Sequence, residues 1–204
     1  MSQFRSALLG VSLIFLLSVS SQSISAQGPS PVSSRSYEVS LHVIVGSNGA
    51  DAGATIPQSL ANVVRELKPQ FSFQNYRLAN TYFGRIGTSG TLEYKSVTSI
   101  TGQDSESDSP SFLEWSIGRV DETPDAASRG LVQAQPFRFG ARVPVRMASV
   151  TGDGKTVSTV SYESIGFNVN KLSFRENVPT LVGSLNLPKT AGTLFLVVTA
   201  KQVD

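Results

Sequence analysis

Residues 137–174 read FRFGARVPVRMASVTGDGKTVSTVSYESIGFNVNKLSF, and this run decides the fold class. Phe137, Phe139, Ala141, Val143, Val145 and Met147 alternate with Arg138, Arg142 and Arg146. That period of two belongs to a strand with one face in a core and the other in water. Asp153-Gly154 supplies hairpin turn residues, and a second alternating run extends from Thr156 to Phe174. The last run, Thr193 to Val203 (TLFLVVTAKQV), is apolar on both faces at its centre. Such a strand is expected inside a sheet or a two-sided packing, not at an exposed edge.

The same alternation opens the N-terminal portion. Tyr37, Val39, Leu41, Val43 and Val45 interleave with Glu38, Ser40 and His42, and the glycine-rich stretch Gly46 to Gly53 breaks the pattern. Leu60, Val63, Val64 and Leu67 then fall at i, i+3, i+4 and i+7, one apolar helical stripe. Thr55 and Gln58 have the spacing of a capping box, Pro57 suits a first turn, and Pro69 ends the helix. Phe71 to Ile86 and Thr91 to Ile100 read as strands joined at Gly87 to Gly90, and Phe112 to Val120 as a further strand. Thr101 to Pro110 and Asp121 to Gly130 are turn-rich, the second marking a boundary between halves. The expected fold class is α+β, predominantly antiparallel β. A β-α-β-β-β portion over residues 37–120 is followed by an all-β portion over 131–204, either as one compact domain or as two closely packed halves.

Ahead of these elements stands MSQFRSALLGVSLIFLLSVSSQSISA, residues 1–26. Arg5, the apolar stretch from Ala7 to Val19 and the small residues leading to Ala26 have the layout of a secretory signal peptide. Its apolar core is shorter than the roughly 20 residues a spanning helix needs, so cleavage is expected rather than retention as an anchor. Residues 27–36 (QGPSPVSSRS) read as a disordered leader. The expected location is outside the cytoplasm, periplasmic or associated with the outer membrane, with the extracellular space as the alternative.

Composition narrows the chemistry. The chain has no cysteine, which removes thiol catalysis, disulfides and lipoprotein attachment. One histidine, His42, cannot build a zinc site alone, and any Ser-His-acid arrangement would have to use it. It sits on the polar side of its strand, where surface packing is the ordinary role. Loss of Arg5 lowers the 17 Lys and Arg to 16, against 15 Asp and Glu, too even a balance to steer the chain toward nucleic acid. Asp104, Glu106 and Asp108 alternate in a polar loop but lack the rest of a calcium-loop pattern, and no glycine pattern for phosphates is present. No cofactor or metal is expected. The most ordered charge feature is the row Arg138, Arg142 and Arg146, whose guanidinium groups are placed to grip phosphate or carboxylate groups or a partner's acidic edge, the alternative being an ordinary solvated strand face. Pro144 inside the row points to an edge or a bulge, where strand addition by a partner is possible.

FRFGARVPV (137–145), a hairpin, and then VSYESIGFNV (160–169) resemble the middle of bacterial secretins, the outer-membrane rings of type II and III secretion and of type IV pili. Those proteins carry an apolar-Gly-x-x-Val/Ile-Pro segment, a hairpin and an aromatic-acidic-x-Val/Ile-Gly segment. VPTLVGSLNL (178–187) and TLFLVVTAK (193–201) are similar to a secretin ending. The resemblance covers the last 70 or so residues and implies a short or accessory relative, since a channel subunit is much longer. It carries no catalytic residues. The functional expectation is a non-catalytic envelope component that binds a protein partner or self-associates through strand edges, with no nucleic acid. The alternative is a secreted hydrolase or carbohydrate-binding module using Trp115 and Tyr94. N-terminal mass spectrometry of exported protein is expected to place the first residue at or near Gln27; an intact Met1 in a membrane pellet would show retention of the segment instead.

Overall fold

Strand β1 (Ser36–Ser47) has alternate residues Tyr37, Val39, Leu41 and Val43 buried on one face, and from Val43 to Ser47 both of its faces are buried. Two flanking strands and two apolar layers meet that demand. β1 pairs antiparallel with β2 (Asn75–Gly87) on one side and with β11 (Thr193–Val203) on the other, from Ser36 opposite Val203 to Gly46 opposite Thr193. β10 (Thr180–Asn186) completes this first sheet, in the order β10-β11-β1-β2. β11 is central, as its two-sided apolar run requires: Leu194, Leu196, Val198 and Ala200 enter one cluster, Phe195 and Val197 the other.

The structure is a computed structural model and describes residues 35–49, 55–98, 100, 109–122, 130–150, 152–188 and 192–203. Residues 1–26, read as a signal peptide, most of the stretch 27–36 read as a leader, and the acidic stretch 104–108 lie outside the described residues, although Ser36 already belongs to β1. The second sheet has the order β3-β4-β7-β8, built from β3 (Thr91–Thr98), β4 (Ser111–Gly118), β7 (Phe137–Val150) and β8 (Thr156–Val169). A third, small sheet joins β5 (Val120–Glu122), β6 (Leu131–Ala134) and β9 (Leu172–Arg175). All pairings are antiparallel. The inner faces of all three sheets share one apolar cluster, including Val39 and Leu41 of β1, Trp115 and Ile117 of β4, Phe137 and Phe139 of β7, and Phe174 of β9. Burying large aromatic and branched side chains between two faces is the main favourable term of such a sandwich.

The one α-helix among the described residues, α1 (Ala61–Leu67), covers part of the outer face of the first sheet. Leu60, Val63, Val64 and Leu67 form the apolar stripe, packed with Ile44, Phe195 and Val197. The entry differs from the capping-box expectation. A 3₁₀ turn, Gln58–Leu60, precedes α1; neither start has a side-chain cap, and Thr55 is exposed. The backbone supplies the start instead, Leu60 N donating to Pro57 O at 2.9 Å, because burial of Leu60 already fixes the turn. Phe71 and Phe73 also differ from expectation. They precede β2 and close over the helix cluster, the Phe71 ring meeting Phe195 edge-on at 4.7 Å.

The strands on either side of Gly87–Gly90 do not pair with each other. β2 ends the first sheet and β3 begins the second, so the short turn carries the chain around a corner of the sandwich. Gly84 makes this corner possible: a Cβ there would lie 2.7 Å from Leu92 Cδ2, where the Leu92 side chain crosses from β3. Arg77, buried in β2, donates from Nη2 to the carbonyl of Ile100 at 2.7 Å and ties the two sheets at their other end.

Leu196→Ala, at a fully buried position of β11, is expected to cost about 2–5 kcal/mol in denaturant unfolding. Thr55→Ala, which removes no cap, is expected to change the same measurement by less than about 0.5 kcal/mol; a loss near 1 kcal/mol would indicate a cap after all.

Candidate functional site

The arginine row stands on the outer face of the second sheet. In β7 the odd positions from Phe137 to Val145 are buried, while Arg138, Arg142 and Arg146 are exposed on the opposite side. Their spacing of four residues along a strand sets successive side chains about 13 Å apart. The register places Ser116, Glu114 and Phe112 of β4 opposite Arg138, Gly140 and Arg142, and Asn168, Gly166 and Ser164 of β8 on the other flank. β3 adds Glu93, Lys95 and Val97 at the far side. The charges on this face are thus four cations against two carboxylates.

The floor of the face is lowered where two glycines pair. Gly140 lies opposite Gly166, and a Cβ on Gly166 would come within 2.6 Å of the Phe139 carbonyl oxygen, so backbone packing leaves no room for a side chain there. On either side of this notch are two adjoining concavities. One, of about 560 Å³, is lined by Lys95, Val97, Phe112, Glu114, Arg142 and Ser164 among others. The other, of about 390 Å³, shares Lys95, Glu114 and Gly140 and reaches Arg138 and Asn168. Both are open troughs across the sheet.

Arg142 is the best-positioned group in the row. Its guanidinium carbon lies 5.2 Å from the Phe112 ring centre and 5.7 Å from that of Tyr162, and the two rings are 5.6 Å apart. The three separations are nearly equal, so the two rings touch each other and the guanidinium rests over the pair from one side, at about 0.5–1 kcal/mol per exposed contact, with its far side left to meet a carboxylate. Among the described residues, no acidic side chain forms an ion pair with Arg138 or Arg142. Phe112 and Tyr162 are the part of this site that alternation alone did not single out. The signal was present: in FLEWSIG the large residues Leu113, Trp115 and Ile117 claim the core, which leaves Phe112 on the face of Glu114 and Ser116.

Pro144 is an edge residue in a local sense only. β7 is central in its sheet, but its ladder with β4 stops at Arg142, and at Pro144 it has β8 alone, through Tyr162. The register with β8 runs through without a bulge. The lost donor therefore falls where a neighbour is already missing.

The other candidates are dispersed. Trp115 is buried on the inner face of β4, its ring 6.5 Å from Phe137 and 6.3 Å from Tyr94, so although the residue borders the smaller trough its ring belongs to the core. His42 is on the outer face of the first sheet, half-buried, with Nδ1 3.1 Å from Thr81 Oγ1; among the described residues neither serine nor carboxylate bonds to it. Groups of three or more His, Asp or Glu that could hold a metal are absent among the described residues, as is any helix long and apolar enough to cross a membrane. Comparison with family models, with curated proteins and with solved structures finds no match for the chain.

Burial lowers the pKa of His42 below its ordinary 6.5. As pH falls through 6.5 the unfolded chain takes up this proton before the folded one does, so stability present above 6.5 is lost on acidification through the folded pKa. Melting curves over that window are expected to show the decline in wild type and a flatter profile in His42→Gln, with binding by the arginine face unchanged.

Proposed function

We propose that this chain is an exported, non-catalytic binding or assembly component of a bacterial cell envelope, in the manner of an accessory to secretin-type machinery. Its binding element is the outer face of the second sheet, and its partner is an extended acidic protein segment. The observation that carries this reading is Arg142 resting over the adjoining rings of Phe112 and Tyr162, with Arg138 and Arg146 on the same face. A partner strand with carboxylates four residues apart matches the spacing of the row, and bidentate pairing rewards that geometry more than a diffuse charge does.

Three further points support it. The signal-like start directs the chain out of the cytoplasm. The two segments that resemble secretins are paired strands joined by a hairpin, the arrangement which that resemblance implies. The single histidine is bonded to a threonine on the far sheet, away from the troughs. The reading rests on chemistry at the face and on these supports together.

A triple Arg138→Gln, Arg142→Gln, Arg146→Gln variant tests it against a glutamate-rich extended peptide by fluorescence anisotropy. Arginines desolvated at a contact cost about 2 kcal/mol or more when truncated, so affinity is expected to fall at least about 30-fold. Exposed charges contribute only about 0–1 kcal/mol to folding, so the melting temperature is expected to stay within a few degrees. Wild-type binding is expected to weaken with added salt. Equal binding by the triple variant would return the row to a solvated strand face.

A further inference from the structure

We propose that two copies of this chain join through β8, edge to edge and antiparallel, about a two-fold axis between their Thr159 residues. This interface is the backbone edge of β8, whereas the acidic partner is read by side chains on the face of the sheet.

β8 ends the second sheet, so among the described residues one side of its backbone has no strand partner. Exposed strand edges are ordinarily blunted by charge, proline or a bulge. The other three edges of the two large sheets carry such devices. β2 holds Arg85 and shifts register against β1, β3 holds Glu93 and Lys95, and β10 shifts register at Leu181/Gly183. β8 has none of them over TVSTVSY, residues 156–162, and its ladder with β7 is unbroken from Phe137 opposite Val169 to Val150 opposite Thr156.

The same strand also carries the part of the fold with least support. Beyond Val145 and Ser161 the β7-β8 hairpin projects as a two-stranded ribbon, exposed on both faces, with Met147 at 51%, Val150 at 72% and Val157 at 46% of full exposure. Two strands alone are marginal in water; four strands bury more of these side chains. Pairing with a second β8 turns two ribbons into one four-stranded ribbon.

Charge complementarity selects the second copy and fixes the register. With Thr159 opposite its counterpart, Lys155 stands opposite Glu163 of the second copy, and symmetry repeats the pair. Val160 then faces Ser158, and Tyr162 faces Thr156. Moving the axis to Ser158 sets Glu163 against Asp153, two like charges; moving it to Val160 sets Glu163 against Val157 and loses both pairs. Lys155, the residue before β8, is highly exposed and lies 3.5 Å from Asp153. Exposed pairs of this kind are weak, so they specify register while backbone hydrogen bonds and covered side chains supply the affinity.

The cysteine-free chain makes the register directly readable. Thr159→Cys places two thiols opposite each other, at the roughly 4.5–5.5 Å Cα separation of an antiparallel pair, within the disulfide range of about 4.4–6.8 Å. Thr156→Cys leaves its thiols six residues apart along the strands, about 20 Å. Under mild oxidation the first variant is expected to form a disulfide dimer and the second to remain monomeric. By sedimentation the wild type is expected to dimerise with concentration, Lys155→Glu to weaken the dimer at least about tenfold, and Lys155→Glu with Glu163→Lys to recover it. An Arg138→Gln, Arg142→Gln double variant, altered only outside the ribbon, should dimerise as wild type while losing affinity for the acidic peptide, which separates this interface from the acidic-partner reading. Circular dichroism of each variant confirms folding. A wild type that stays monomeric, equal cross-linking of the two cysteine variants, or a double charge swap that fails to recover would overturn the proposal.

Discussion

The pairing of β1 with β11 is the constraint on which the rest of the structure depends. These strands come from opposite ends of the described chain, and their ladder runs from Ser36–Val203 to Gly46–Thr193. Both are apolar on two sides near Ile44 and Phe195, so neither is stable at an edge or over a single core. Side by side they form the centre of the first sheet, with the sandwich core beneath and α1 above. A contact between chain ends carries a large loop-closure cost, and burial of Leu194, Leu196, Val198 and Ala200 against Val39, Leu41 and Val43 offsets it.

The second sheet inherits its orientation from that core. Its inner face must present Leu113, Trp115, Ile117, Phe137 and Phe139 to β1 and β11, which turns every intervening side chain outward. Arg138 and Arg142 are therefore displayed because Phe137, Phe139 and Ala141 are buried. The same alternation brings Phe112 and Tyr162 against Arg142 and sets Gly140 beside Gly166 at the floor of the trough. A surface made this way is stiff, since moving one of its residues disturbs the register of the whole strand.

Stiffness ends where the sandwich does. Past Val145 the β7-β8 hairpin has no third strand among the described residues, and its side chains lose the buried/exposed alternation that governs the preceding residues. The chain thus combines a rigid face, suited to recognising spaced charges, with a projecting ribbon whose free edge is suited to strand pairing. The two features share β7 and β8, and residue 146 is the join between them.

Periodicity in the sequence determined the antiparallel β class, the apolar helical stripe, the interior place of the final strand and the outward side of the arginine row, because each follows from the spacing of apolar residues along one segment. It could not determine which strands pair, since alternation specifies a face and not a neighbour. The turn at Gly87–Gly90 reads as a hairpin locally, yet β2 and β3 part at a corner because β1 needs both β2 and β11 at its sides. Thr55 and Gln58 have a capping spacing, yet burial of Leu60 fixes the helix start without them. Phe112 and Tyr162 are fifty residues apart in the chain, and only the β4-β7-β8 register brings both rings against Arg142. Residue pattern decides what each segment buries; long-range pairing decides what its other side meets, because that depends on the strands which the shared core brings alongside.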